Sequence, residues 1–223
     1  ISDAWRRLGN MGSKNVKVAV IDNGFDFSHP DLKDKIHRPF NVWSRKEEMK
    51  EDRNFTHGTP VASIAIAAAN GSGMVGAAPN AKFIPLQGTS YSLRATEAMF
   101  DYCINTGADI ISCSWGTTDM RYTLSPLKEE AIKKAALKGR NGKGCIILFA
   151  AGNEGKDYVN LYGAHPDVIC VGSSDSKDNY ARYSNRGREL TLVAPSNGDW
   201  PVIAARAEWD LGTTIRGEGH FRW

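Results

Sequence analysis

The sequence predicts an α/β fold: three layers, α/β/α, around a mostly parallel central sheet. Three observations carry this expectation. Five short apolar runs read as strands buried on both faces, helical patterns stand between them, and 223 residues are enough for one domain with a sizeable core. Continuous apolar runs mark strands covered by helices on both sides, whereas a half-exposed strand alternates apolar with polar residues. No repeat, low-complexity block or linker interrupts the chain, so a single domain over residues 1–223 is expected.

The elements follow in order. VKVAVI (Val16–Ile21) is the first strand. A helix then starts near His57, and its residues are almost all small, among them Gly58, Ala62, Ser63, Ala65, Ala67, Ala68 and Ala69. A helix that is small all round packs closely against its neighbours in the middle of a domain. KFIPL (Lys82–Leu86) is the next strand. Over Arg94–Thr106 the residues Ala95, Ala98, Met99, Tyr102 and Cys103 recur at i, i+3, i+4, i+7 and i+8, an amphipathic helix. DIISCSW (Asp109–Trp115) returns to strand. Ser125-Pro126 opens a further helix, with Glu129 and Glu130 early, Lys133, Lys134 and Lys138 late, and a break at GRNGKG (Gly139–Gly144). CIILFAA (Cys145–Ala151) and DVICVG (Asp167–Gly172) complete the strands.

Composition excludes several classes. A net charge of +3, with basic and acidic residues interleaved as in RKEEMKEDR (Arg45–Arg53), argues against nucleic acid or an anionic membrane as partner. The apolar runs are far shorter than the ~20 residues a membrane span needs. Cys103, Cys113, Cys145 and Cys170 form no CxxC pair, and three lie in strand-like runs. They read as reduced core thiols, which tilts localisation toward a reducing compartment such as the cytoplasm. The first residue is Ile1 and the start is not signal-like, which leaves room for an upstream propeptide or domain.

In parallel sheets, ligands bind beyond the carboxyl ends of the strands. The first strand delivers Asp22, a carboxylate after an apolar run that either serves a site or is satisfied by turn amides near Gly24. His57 stands at the mouth of the small-residue helix instead of on its apolar stripe, as a buried structural histidine or a general base. Asn153 follows a strand and is flanked by glycines, as a turn former or as an amide donor to an oxyanion.

Together these stretches resemble the subtilisin-like serine proteases, the subtilases. Asp22 in VAVIDNG, followed by His29-Pro30-Asp31-Leu32, is similar to the family's catalytic Asp. His57 in HGTPVA is similar to its catalytic His, and Asn153 in AAGNEG to its oxyanion-hole Asn. GAAPNA (Gly76–Ala81), SWG (Ser114–Gly116), PDVICVG (Pro166–Gly172) and VAPS (Val193–Ser196) match family patterns in the same order, across nearly the whole chain. The resemblance implies a serine endopeptidase of subtilisin-like fold acting on a peptide or protein substrate. Asp22 would orient His57, His57 would act as general base and then acid, and Asn153 would hold the oxyanion. Ser114, Trp115, Gly116 and the segment Gly88, Thr89, Ser90 would pair with substrate, and Ala150, Ala151 and Gly152 would line the pocket before the scissile bond. SWG also occurs in kexin-like members that prefer basic residues, for which Asp119, Glu154 and Asp157 are candidate acids.

No cofactor is required by this reading. Asp31 and Asn70 match calcium-ligand positions of many members, so a bound Ca²⁺ is an added expectation beside a metal-free turn. The loop GSGMVG (Gly71–Gly76) satisfies a dinucleotide pattern but follows a helix and leads into a strand, so it is rejected as such a site.

The nucleophile is the missing member. Gly88-Thr89-Ser90 has the family tripeptide, yet it precedes Asn153, against the family order Asp, His, Asn, Ser. Gly212-Thr213-Thr214 sits near the expected place, but the sequel IRGEGHFRW is too polar and bulky for the small buried helix that should follow. The expectation is therefore a catalytic domain lacking its C-terminal part, its Ser supplied by a segment after Trp223. The alternative is a pseudoprotease that binds peptides in the same cleft. A phosphoryl-transfer site on Asp22 and Asp26 leaves His57 and Asn153 without roles and is set aside.

Overall fold

The computed structural model describes residues 1–88, 90, 92–119, 121–199, 202–210 and 221–222. The chain divides into two compact units, the first of residues 1–89 and 203–223 and the second of residues 90–202.

The first unit opens with helix α1 (Ser2–Leu8) and is built on three parallel strands in the order β2 (Phe40–Asn41), β3 (Lys82–Gln87), β1 (Lys17–Asp22). Registers run from Lys17 opposite Lys82 to Asp22 opposite Gln87, and Phe40 lies opposite Leu86. Val18 to Asp22 are all buried, as a strand covered on both faces requires. Phe25 meets Phe83 edge-on at 5.3 Å between ring centroids.

Helix α2 (Gly58–Ile66) buries Gly58, Thr59, Ala62, Ser63 and Ile66. It stops short of the expected Ala69 because the next amides bond elsewhere: Ala68 N–H donates to the Asp31 carbonyl, while the Ala67 carbonyl accepts Gly76 N–H. The late segment 203–210 belongs to this unit and is fastened to it at three points. Ala205 N–H, in strand β8 (Ala204–Ala205), donates to Ser63 Oγ at 2.9 Å. Glu208 N–H donates to Asp26 Oδ2 at 2.9 Å, and the Trp209 indole to the Phe55 carbonyl at 3.1 Å. Strand β9 (Phe221–Arg222) pairs antiparallel with β8.

The second unit holds four parallel strands in sequential order: β4 (Ile110–Cys113), β5 (Ile146–Ala150), β6 (Ile169–Asp175) and β7 (Leu192–Asn197). Helix α3 (Leu93–Thr106) is capped by Ser92, whose Oγ accepts Ala95 N–H, and ends at Gly107 in the left-handed conformation. Its buried face is Thr96, Met99, Phe100, Cys103 and Thr106, rotated from the expected stripe so that Phe100 replaces Ala95 and Tyr102 at its centre. Helix α4 (Pro126–Gly142) packs on α3 through a face that includes Ala131, Ile132 and Ala135. Its helical path breaks at Gly139, with Arg140 and Asn141 at φ 53° and 56°, where the GRNGKG break was expected. Trp115, Phe149 and Tyr162 form an aromatic cluster with centroids 5.0–5.2 Å apart. All four cysteines are buried and none is in a disulfide. Among the described residues, no helix is long and apolar enough to cross a membrane.

Candidate active site

Asp22 is the last residue of β1, and 2% of it is exposed. A carboxylate buried this deeply needs partners. Asn23 N–H donates to its Oδ1 at 2.8 Å, and His57 Nδ1 lies 2.9 Å from Oδ1 and 3.0 Å from Oδ2. The pairing is asymmetric, since the His57 side chain is 53% exposed. A fixed buried acid thus orients an imidazole whose ring reaches solvent.

Glycine makes this approach feasible. His57 caps α2, and the next residue, Gly58, rests on the turn after β1. A Cβ on Gly58 would stand 2.3 Å from the Gly24 carbonyl oxygen and 2.7 Å from the Phe25 ring. Helix α2 therefore descends onto the turn as only glycine permits. Asp26, four residues after Asp22, holds the turn from below: its Oδ1 accepts Ser28 N–H and Oγ–H, and its Oδ2 accepts Glu208 N–H. Gly88 continues β3 with its N–H on the Asp22 carbonyl at 2.7 Å and φ +120°. Thr89 lies outside the described residues.

In the second unit, Ser90 Oγ accepts Ser92 N–H in the lead-in to α3. Ser114, Trp115 and Gly116 follow β4, and Ala150, Ala151 and Gly152 end β5. A buried amide absent from the expectations, Asn160, ties these two strand ends together. Its Nδ2 donates to the Ala150 carbonyl at 2.5 Å and the Trp115 carbonyl at 3.4 Å, while Oδ1 accepts Tyr162 N–H at 2.8 Å. Gly116 has no room for a Cβ, which would lie 2.4 Å from the Asn160 amide. Asn153 is exposed on the turn after β5. A second unexpected amide, Asn185, is fully buried beneath that turn. The only sequence signal of either is an amide residue set beside apolar or glycine-rich neighbours, in VNLYG and SNRG.

The candidate acids for basic substrates differ in availability. Asp119 is held by Arg121, whose guanidinium and backbone N–H keep its carboxyl below the usual range. Glu154 bonds Asn185 Nδ2 through Oε2 at 2.7 Å, and Asp157 is exposed.

Asp31 and Asn70 do come together. Asn70 Nδ2 donates to Asp31 Oδ1 at 2.8 Å, and Met74 N–H donates to Oδ2 at 3.1 Å. Asn70 Oδ1 in turn accepts Ser72 N–H. Ca²⁺ takes six to eight oxygen ligands. Here both oxygens of the single carboxylate face N–H donors, so the loop as arranged is a hydrogen-bonded clasp. Among the described residues, no group of three or more His, Cys, Asp or Glu side chains is placed to hold a metal. The turn Gly212-Thr213-Thr214 lies outside the described residues.

A family model described as "Subtilase family" matches residues 13–219. A "Calcium-dependent protease" of Nostoc sp. is 33% identical over 217 residues, covering 90% of this chain and 32% of that protein. The "Major intracellular serine protease" of Bacillus subtilis is 35% identical over 207 residues, covering 86% of this chain and 61% of that protein. The chain thus spans about a third of the first relative's length and less than two thirds of the second's. Among solved structures, a "Lanthipeptide Protease" superposes with a TM-score of 0.75 at 24% identity, over 93% of this chain and 66% of that one. This last likeness shows the fold, three-layer α/β/α with a mostly parallel sheet, as the strand pattern predicted.

Proposed function

The chain belongs to the subtilase family, and on that premise we propose that it is the greater part of a serine endopeptidase domain over residues 1–223. The observation that carries the reading is His57 Nδ1 within 3.0 Å of both oxygens of buried Asp22. A carboxylate there accepts Nδ1–H, which leaves Nε2 as the basic nitrogen and stabilises the imidazolium once Nε2 takes a proton. In this mechanism Nε2 removes the proton of a serine hydroxyl as its oxygen attacks the scissile carbonyl. His57 then returns that proton to the leaving amine. Asn153 donates its amide N–H to the oxyanion, and the strand ends at Ser114–Gly116 and Ala150–Gly152 bind the peptide.

The serine itself is proposed to follow Trp223, because family order places it after Asn153 and the sequel to Thr214 is unsuited to a buried helix. No cofactor is required. Ca²⁺ at Asp31 would need the Asn70 amide turned over and Met74 N–H withdrawn.

A fluorophosphonate probe tests the function on a protein that carries the proposed serine segment after Trp223. Rapid labelling that is lost in His57→Ala supports the peptidase. An unlabelled protein, with Asp22 and His57 intact and any propeptide removed, would establish the peptide-binding pseudoprotease instead.

A further inference from the structure

We propose that Asn185 is the positioning residue of the oxyanion turn, holding Asn153 in place by templating the backbone on either side of it. The proposal rests on the peptidase reading above for its catalytic consequence, but the templating itself is a property of the second unit alone.

A side-chain amide has two donor hydrogens and a carbonyl oxygen with two lone pairs. In Asn185, which is 0% exposed, all of these are engaged, and every partner lies between Ala151 and Lys156. Oδ1 accepts Glu154 N–H at 3.1 Å and Lys156 N–H at 2.9 Å. Nδ2 donates to the Ala151 carbonyl at 3.2 Å and to Glu154 Oε2 at 2.7 Å. The Asn185 backbone N–H adds a bond to the Gly152 carbonyl at 3.0 Å. Its neighbours extend the template, since Gly155 N–H donates to the Tyr183 carbonyl and Arg186 N–H to the Lys156 carbonyl, each at 2.8 Å.

Asn153 sits in the middle of this span, exposed, while the residues before and after it are fixed from beneath. Gly152 completes the fit, because a Cβ there would lie 2.3 Å from Asn185 Nδ2 and its φ is +107°. The residue type follows from the partners. Aspartate would keep the acceptors but lose both donors and set a second carboxylate against Glu154. Serine is too short to span Ala151 to Lys156, and an apolar residue would leave Glu154 and Lys156 N–H without acceptors. An oxyanion donor acts only if it is already in place when charge develops, so the fixed turn is what makes Asn153 useful.

Two measurements test this. On the chain itself, amide hydrogen exchange at Glu154 and Lys156 should be slow, and should become fast in Asn185→Ala while β5 and β6 stay protected. Asn185→Leu, which keeps the volume and likewise removes the acceptor of both N–H groups, serves the same comparison should the alanine variant fold poorly. On a protein that carries the proposed serine segment, Asn185→Ala should lower kcat by roughly 10- to 100-fold and leave KM within about twofold. In an Asn153→Ala background the same change should cost less than about threefold, because the donor it positions is gone.

An equal loss in both backgrounds would overturn the positioning role, as would unchanged exchange at Glu154 and Lys156 in both variants. Should Asn153→Ala itself leave kcat intact, the oxyanion assignment fails, and exchange alone then decides for or against the template.

Discussion

Replacing Gly58 by alanine should separate the two residues that define the site. The added methyl would stand 2.3 Å from the Gly24 carbonyl oxygen, where real contacts stay beyond 3.0 Å, so the start of α2 must lift by about 0.7 Å. Neither obstacle yields easily, because one is backbone and the other is the Phe25 ring, which is 1% exposed. Overpacking of this kind costs about 1–3 kcal/mol, and the better helix propensity of alanine returns about 0.5–1 kcal/mol. The middle of these ranges leaves about 1 kcal/mol net, or a melting point lower by about 2–4 °C for a chain of this size. His57 is the adjacent residue, so the same lift carries Nδ1 from 2.9 Å toward about 3.6 Å from Asp22 Oδ1, past hydrogen-bond range. Scanning calorimetry reads the first effect. Proton NMR reads the second, as loss of the strongly downfield signal of an imidazole N–H bound to carboxylate. Ile64→Ala, on the exposed side of the same helix, is the control and should change neither. A Gly58→Ala chain that melts within about 1 °C of wild type and keeps the downfield proton would refute the reasoning.

Other perturbations have equally definite outcomes. Asn160→Leu keeps the volume but leaves the Tyr162 N–H and the Ala150 carbonyl without this partner, so urea unfolding should show a loss of about 2–4 kcal/mol, and an unchanged midpoint would contradict the role given to Asn160. Burial pushes the thiols of Cys145 and Cys170 up to about 11, so native protein at pH 8 should react with Ellman's reagent at none of its four cysteines, and denatured protein at all four. Partial burial first, then Lys82, Lys17 and Arg38, hold His37 below its ordinary pKa. The unfolded chain therefore binds this proton more readily, so the His37 contribution to stability is full above pH ~6.5 and fades as pH falls below it. Urea midpoints at pH 7.5 and 5.5 should drop less in His37→Gln than in wild type.

What the residues alone disclosed depended on how local the cause was. β1 and the burial of Asp22 were legible, because a continuous apolar run ending in a carboxylate states both its burial and its need for a partner. The helix break at Gly139 was legible for the same reason, since glycines and Asn141 adopt the left-handed backbone cheaply. The buried face of α3 was misjudged by one step, because Phe100 is drawn in by packing that periodicity cannot see. β7 escaped notice as a strand because its residues are half-exposed, Leu192 and Val193 at 46% and 38%, so no continuous buried apolar run marks it. Asn160 and Asn185 were invisible for a deeper reason. Several of their partners lie 10 to 45 residues away, so nothing in their own neighbourhoods announces them.

The fastening of residues 203–210 into the first unit also sets a clock on synthesis. Asp26 and Ser63, which frame the Asp22–His57 pair, receive their N–H donors from Glu208 and Ala205, and these are made only after the whole second unit. At about 5–20 residues per second, translation of residues 90–202 takes on the order of ten seconds. For that interval the nascent chain carries Asp22 and His57 without the strap that completes their support. A ribosome-bound chain halted near Val202 should therefore expose Phe55 and Asp26 to protease, and one released past Asp210 should not.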